Sequence, residues 1–293
     1  MIQPFDQEKA QMTELAADKK YQKIIDHCEA LLNDNFPQII NSSFNTDRNG
    51  LEEELDQYAV KDLETALFFL SQLLESSAKL NLMDDQYHQR LFNLILIAEE
   101  IRSPVYCSYG YNRKGKDLFA EKEYQESAKW FIRSLEIENN YRKEVDELLQ
   151  PDLDQLKLNL YAANFRLGRI LSRLQNFDES ISYFRKSVMY SQQLSDIRRK
   201  GLSEYQLGNT FFRMELYDSA LYFYENAKQD FYSINDFDKL SAVFRNIGNA
   251  YNMQKKPNLA IVQFDSAGIL LQQTGDTVGF AYLLNNLANL HYN

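Results

Sequence analysis

From Tyr161 onward, small and large side chains recur along the chain at a fixed spacing of forty residues. Leu167-Gly168, Leu207-Gly208 and Ile247-Gly248 stand forty apart, and Leu287-Ala288 follows after another forty. Three residues beyond each small residue comes a large one: Leu171, Phe211, Tyr251 and His291. Twelve beyond it stands a second small residue (Ser180, Ala220, Ala260) and sixteen beyond it an aromatic (Phe184, Tyr224, Phe264). Nineteen beyond it the chain is small again, at Ser187, Ala227 and Ala267. Polar breaks separate the two halves of each period, at Gln175–Asp178, Met214–Asp218 and Lys255–Asn258. Spacings of three, four and seven lie on one face of a helix, so each period predicts two helices joined by a short turn. A glycine inside a helix costs about 1 kcal/mol relative to alanine. Its recurrence predicts that another backbone approaches there too closely for a Cβ.

The register extends upstream. Gly115, Leu118, Tyr124, Ser127, Phe131 and Ser134 occupy the same offsets, with thirteen extra residues in the junction around Asn139 to Leu156. Pro151 is suited to open the helix that follows. The first hundred residues are less regular. Lys9–Asp18 and Tyr21–Asn33 read as a helix pair, with Met12, Leu15, Tyr21, Ile24, Cys28 and Leu31 at the repeat offsets. Residues 33–50 read as a loop by composition. Leu51–Leu80 and Asp84–Arg102 read as helices with wide apolar faces, ended by Ser103-Pro104. The expected organisation is an N-terminal helical region, 1–103, with one degenerate repeat at about 4–34. A repeat array over 104–293 follows, with units starting near 108, 161, 201 and 241 and a half unit from 281.

This small–large–small–aromatic–small pattern resembles the tetratricopeptide repeat (TPR) family in a form with a 40-residue period. The departures are Ser180 where alanine is usual and Ala288 in place of glycine. The resemblance implies an all-α fold, a right-handed superhelical solenoid of antiparallel helix pairs, and a role in protein–protein interaction. It also implies that the first helix of each unit lines a concave surface. With the packing glycine as position eight, the inward positions are two, five, nine, twelve and thirteen. The candidate peptide-binding residues among them are Lys116, Arg169, Arg173, Tyr205, Asn209, Arg213, Arg245, Asn249, Asn252, Asn285 and Asn289.

Composition narrows the choice. The 293 residues contain only ten glycines and five prolines, too few turn formers for a sheet protein. Acidic residues outnumber basic ones by 42 to 32, giving a net charge of −10 and a pI near 5.0. An acidic surface disfavours direct nucleic-acid binding. None of the inward positions is acidic, so the groove suits an extended chain. A side-chain amide can donate to and accept from a peptide backbone at once. Arginine forks favour acidic side chains or a free carboxylate in the partner. Asparagine after the packing glycine is also common in the family irrespective of ligand, and the basic residues could instead pair with neighbouring helices.

Signatures of catalysis fail on inspection. Gly110–Asp117 (Gly-Tyr-Asn-Arg-Lys-Gly-Lys-Asp) matches a phosphate loop except at its last residue, which should carry a hydroxyl. His27, His88 and His291 have no ligand-spaced partners, so no metal, cofactor or catalytic residue is expected. The two cysteines, Cys28 and Cys107, rule out a disulfide framework. No apolar run is long enough to span a bilayer. No secretory signal is evident, so a cytoplasmic protein is expected, or an extracytoplasmic one if the sequence is a trimmed mature form. The last residues fall inside the first helix of a unit without a polar cap. Two readings follow: a free-standing peptide-binding scaffold, or the sensor portion of a longer signalling or transcriptional regulator.

Overall fold

The computed structural model describes residues 5–41, 55 and 58–292. Its described residues form helices and turns with no strand. Two compact units divide the chain, Met1–Asn159 and Leu160–Asn293.

In the first unit, α1 (Asp6–Ala17) and α2 (Tyr21–Asn35) form the expected N-terminal pair, joined through Met12 and Cys28 at 3.6 Å between sulfurs. The expected loop at 33–50 is corrected in its first part. α2 continues to Asn35, and Pro37 opens a short helix, α3 (Pro37–Asn41), that buries Ile39 and Ile40. Asparagine-rich composition concealed the apolar anchors Phe36, Ile39 and Ile40; residues 42–50 lie outside the described residues. The single helix expected over Leu51–Leu80 is interrupted before Val60, while residues 51–54, 56 and 57 lie outside the described residues. α4 spans Val60–Lys79, preceded by Ala59 in an extended conformation with ψ 147°. α4 supplies much of the unit's core, with Ala66, Leu67, Phe69, Leu70, Leu73 and Leu74 fully buried. α5 (Asp85–Glu100), α6 (Pro104–Ala120) and α7 (Tyr124–Leu135) follow. The extended junction forms two short helices, α8 (Ile137–Asn140) and α9 (Arg142–Asp146), before α10 (Gln150–Arg173), whose first turn contains Pro151.

The second unit comprises the later part of α10, then α11 (Phe177–Gln193), α12 (Ile197–Arg213), α13 (Tyr217–Ser233), α14 (Phe237–Met253), α15 (Pro257–Thr274) and α16 (Thr277–Tyr292). Successive helices pack against one another, α12 on α13 and α14 on α15 most extensively. The packing glycines explain this, though not as expected. Their neighbour is a ring rather than a backbone. A Cβ at Gly208 would lie 2.5 Å from the Tyr224 ring, and one at Gly248 2.5 Å from the Phe264 ring. The same contact joins Gly168 to Phe184, and in the first unit Gly115 to Phe131. The aromatic at offset sixteen therefore fills the notch left by the glycine of its own unit. Its burial is nearly complete in every case. Each such ring contributes about 1.5–3 kcal/mol by leaving water. Where offset twelve is serine, the hydroxyl donates to the glycine carbonyl: Ser127 to Gly115 at 2.7 Å and Ser180 to Gly168 at 2.8 Å.

The turns repeat at half the period. Gln175, Ser195, Glu215, Asn235, Lys255 and Gly275, twenty residues apart, all take positive φ, from 53° to 70°. After each, the next amide bonds five residues back, as in Asn176 N–H to Leu171 O and Lys256 N–H to Tyr251 O, both 2.9 Å. These are Schellman terminations, which satisfy the last carbonyls of a helix. Asp196, Asp236 and Asp276 then open α12, α14 and α16; their carboxylates accept from the backbone N–H of Arg199, Lys239 and Gly279. That second 40-residue series, worth about 1 kcal/mol per cap, is legible in the sequence once the caps are sought.

Between α12 and α13, Lys200 Nζ reaches Glu204 at 3.1 Å and Asp230 at 2.7 Å. Burial of Glu204, with Asp230 nearby, pushes its carboxyl up to about 7 despite the opposing pull of Lys200.

Two outcomes follow from this packing. Gly208→Ala should lower stability by about 1–3 kcal/mol in urea unfolding, overriding alanine's helix preference. Gly268→Ala, where a Cβ would meet only the end of Leu283 at 3.3 Å, should be close to neutral. Glu204 holds its proton in the folded chain above its ordinary value of 4.5, so the stability it contributes is present at low pH and lost as pH rises through about 7. Urea midpoints should fall as pH rises from 4.5 to about 7 in the native chain, and Glu204→Gln should flatten that slope.

Candidate peptide-binding face

Ten of the eleven candidate residues lie in the second unit, on α10, α12, α14 and α16; Lys116 lies on α6 of the first. Tyr205, Asn209 and Arg213 succeed one another at four-residue spacing along α12, and Arg245, Asn249 and Asn252 follow at spacings of four and three on α14. A depression of about 200 Å³ opens between them, lined by Asn209, Phe212, Arg213, Tyr224, Asn246 and Asn249. Asn246, outside the expected positions, is a residue the sequence reading missed.

The asparagine row does not act as a uniform set. At Asn209 the side-chain carbonyl accepts from the Tyr224 hydroxyl at 2.9 Å and from Asn246 Nδ2 at 2.8 Å. Asn246 also donates to the Tyr205 hydroxyl at 2.9 Å. This network anchors a tyrosine ring that would otherwise bury an unsatisfied hydroxyl. One unit on, the ring at offset sixteen is Phe264, which has no hydroxyl to offer. Asn249 is half-buried, and its amide has no protein partner among the described residues. Tyr224 thus draws the amide after its glycine into the scaffold, and Phe264 does not.

The cations divide similarly. Arg213 donates to the Ser172 carbonyl at 2.6 Å and to its hydroxyl at 3.0 Å, tying α12 to the end of α10. Arg245 sits with its guanidinium 5.8 Å from the Tyr282 ring centre, and its Nε is buried without an acceptor. Among the described residues neither is held by a carboxylate. Burial, and then the neighbouring Arg173, keep Arg169 below the ordinary arginine value. Asn252 is half-buried and Asn285 exposed; a second depression beside Asn285 is lined by Thr277, Val278, Ala281 and Tyr282. Asn289 lies within α16, but its side chain is outside the described residues.

The phosphate-loop resemblance dissolves in the structure. Gly110–Asp117 lies wholly within α6, where no loop can cradle phosphates. Asp117 is buried and ion-paired with Arg113 at 2.9 Å, and it accepts from the Tyr87 hydroxyl at 2.9 Å. Arg113 also reaches Glu75 at 3.3 Å. Among the described residues no group of three or more His, Cys, Asp or Glu could hold a metal ion, and no helix is long and apolar enough to cross a membrane. Both cysteines are free and buried, and burial pushes each thiol up to about 12.

No family model matches the chain, and no curated protein matches it. Solved structures do. BtubC (BKLC) from P. vanneervenii aligns with a TM-score of 0.60 at 15% identity, over 85% of this chain and 92% of that one. A signal-transduction ATPase with numerous domains from Pyrococcus horikoshii, carrying a tetratricopeptide repeat sensor, gives 0.56 at 16% identity, over 96% of this chain and 44% of its own. YrrB, described as a TPR protein with an unusual peptide-binding site, gives 0.50 at 13% identity, over 81% of this chain and 97% of that one. The fold is that of a tetratricopeptide-repeat solenoid. At these identities the likeness extends to the TPR fold alone. The 40-residue period, the ring-on-glycine contact and the Schellman turns are how this chain builds it.

Asp117→Ser would complete the phosphate-loop signature. It should instead destabilise the first unit by about 3 kcal/mol, because Arg113 loses its buried partner. Titration with Mg·ATP should show no gain in affinity.

Proposed function

We propose that the chain is a non-catalytic scaffold in which the face formed by α12, α14 and α16 holds an extended segment of another protein. The observation that carries this reading is the half-buried Asn249 amide, which lines the depression between α12 and α14 and has no protein partner among the described residues. Asn249 supplies both halves of a backbone hydrogen-bond pair, Phe212 an apolar floor, and Arg245 a charge that favours acidic side chains or a terminal carboxylate. Arg213 and Asn209 shape the face while serving the scaffold. The TPR neighbour YrrB, with its described peptide-binding site, supports the same class of function.

A second reading, the sensor portion of a longer signalling regulator, draws support from the Pyrococcus protein, whose repeats are described as a sensor and of which this chain matches 44%. Coding sequence on both sides of these residues decides it: an effector domain on either side would support the sensor reading and its absence from both would sink it.

The binding face is tested with an array of extended peptides carrying acidic, neutral or basic residues, each with a free or amidated C-terminus. The native chain should retain the acidic, free-carboxylate members. Arg245→Glu/Asn249→Ala should weaken them about tenfold or more, the loss of 1.4 kcal/mol or more expected for a charge-assisted contact. Circular dichroism should remain unchanged. Equal retention by the folded double variant would refute this placement.

A further inference from the structure

A separate depression of about 380 Å³ lies in the second unit, between α10 and the start of α12. Tyr161 and Phe165 form one wall, their rings 5.8 Å apart and within 19° of parallel. Arg166, Arg169, Arg198 and Arg199 surround it, and Asp196 is the carboxylate in the lining.

The cations are placed against local preference on both helices. From residue 155 to residue 177 the chain has no Asp or Glu, while Arg166, Arg169 and Arg173 follow one another at spacings of three and four. Like charges so placed destabilise a helix by about 0.2–0.5 kcal/mol per pair. On the facing side, Arg198, Arg199 and Lys200 occupy the first turn of α12, where the helix dipole favours anions instead. Aspartates moderate this end: Asp196 takes Arg199, Asp236 takes Arg198 at 2.8 Å, and Asp230 takes Lys200. Arg199 also stands over the Tyr161 ring at 5.7 Å, and the Tyr161 hydroxyl donates to the Arg199 carbonyl at 3.2 Å, fixing the wall to the cation. Guanidinium groups still outnumber carboxylates in the pocket lining by four to one.

A carboxylate presents two oxygens in one plane and is satisfied by one guanidinium fork. A phosphate monoester presents three oxygens and close to two charges, and so can accept from forks arriving from two helices. We propose that this pocket binds a phosphate monoester, its oxygens between the α10 and α12 arginines and its organic part against Phe165. A phosphorylated side chain of a partner protein and a free phosphate ester share this chemistry. The site shares only Arg169 with the residues expected to bind peptide. It does not depend on the role of Asn249 or Arg245.

The test titrates the full chain with phenyl phosphate, with benzoate and with a phosphotyrosine peptide at fixed ionic strength, read by calorimetry. Phenyl phosphate should bind saturably and about tenfold or more tighter than benzoate, as expected for a dianion met by several forks. Arg166→Gln/Arg199→Gln should weaken it by about the same factor with unchanged circular dichroism. Arg166→Lys, which keeps the charge but loses the fork, should also weaken it and covers the case of a double variant that fails to fold. Arg245→Glu should leave it unaltered, separating this site from the peptide face. Tighter binding of the phosphopeptide than of phenyl phosphate points to a protein source, and equal binding to a small ester; either supports the site. Benzoate binding as tightly as phenyl phosphate, no saturable binding of phenyl phosphate, or full affinity in Arg166→Lys would overturn it.

Discussion

The contact on which the second unit depends is an aromatic ring seated on a glycine. Each first helix leaves a notch at Gly168, Gly208 or Gly248, and each second helix fills it with Phe184, Tyr224 or Phe264. Small residues on either side of the ring, such as Ala220 and Ala227, let the second helix close in. The glycine weakens its own helix, and the buried ring more than compensates. Helix spacing, register and the side of each helix left facing outward all follow from this one fit.

The same fit governs the polar side chains beside it. The residue after each glycine stands at the margin of the buried ring, so the ring's chemistry determines what that residue can do. Tyr224 brings a hydroxyl and recruits Asn209 and Asn246 into the scaffold. Phe264 brings none, and the Asn249 amide has no protein partner among the described residues. At Gly168 the following residue is Arg169, whose neighbours on α10 extend a basic strip toward the arginine-lined depression. One sequence position thus serves structure in one unit and offers chemistry in the next.

Helix pairing and the forty-residue register were legible in the sequence because four classes of side chain share that period. What stands against each glycine was not, since the pattern shows that space is needed but not what fills it. The end of α2 and the short α3 were hidden by asparagines around Phe36, Ile39 and Ile40. Offset alone put the candidate residues on the first helix of each unit. It could not place their partners. Arg213 is held by a carbonyl of Ser172, forty-one residues away, and Asn246 lies outside the expected inward positions. Such bonds depend on three-dimensional proximity that spacing does not encode. The capping series Asp196, Asp236 and Asp276 was visible all along, in polar positions that a search for core residues passes over.

The left-handed turn residues have a consequence for how the chain can change over time. Gln175, Ser195, Glu215, Asn235 and Lys255 share one backbone shape with little chemical resemblance, and only Gly275 and Asn235 are of the residue types that shape favours. Any side chain that tolerates this shape can stand there, while the distance between the turns is fixed. A single inserted residue would turn the following helix by about 100° and carry its ring away from the glycine it must meet. Length in this unit is quantised: an alignment of its descendants should accumulate substitutions at the turns while gaining or losing residues only in whole repeats.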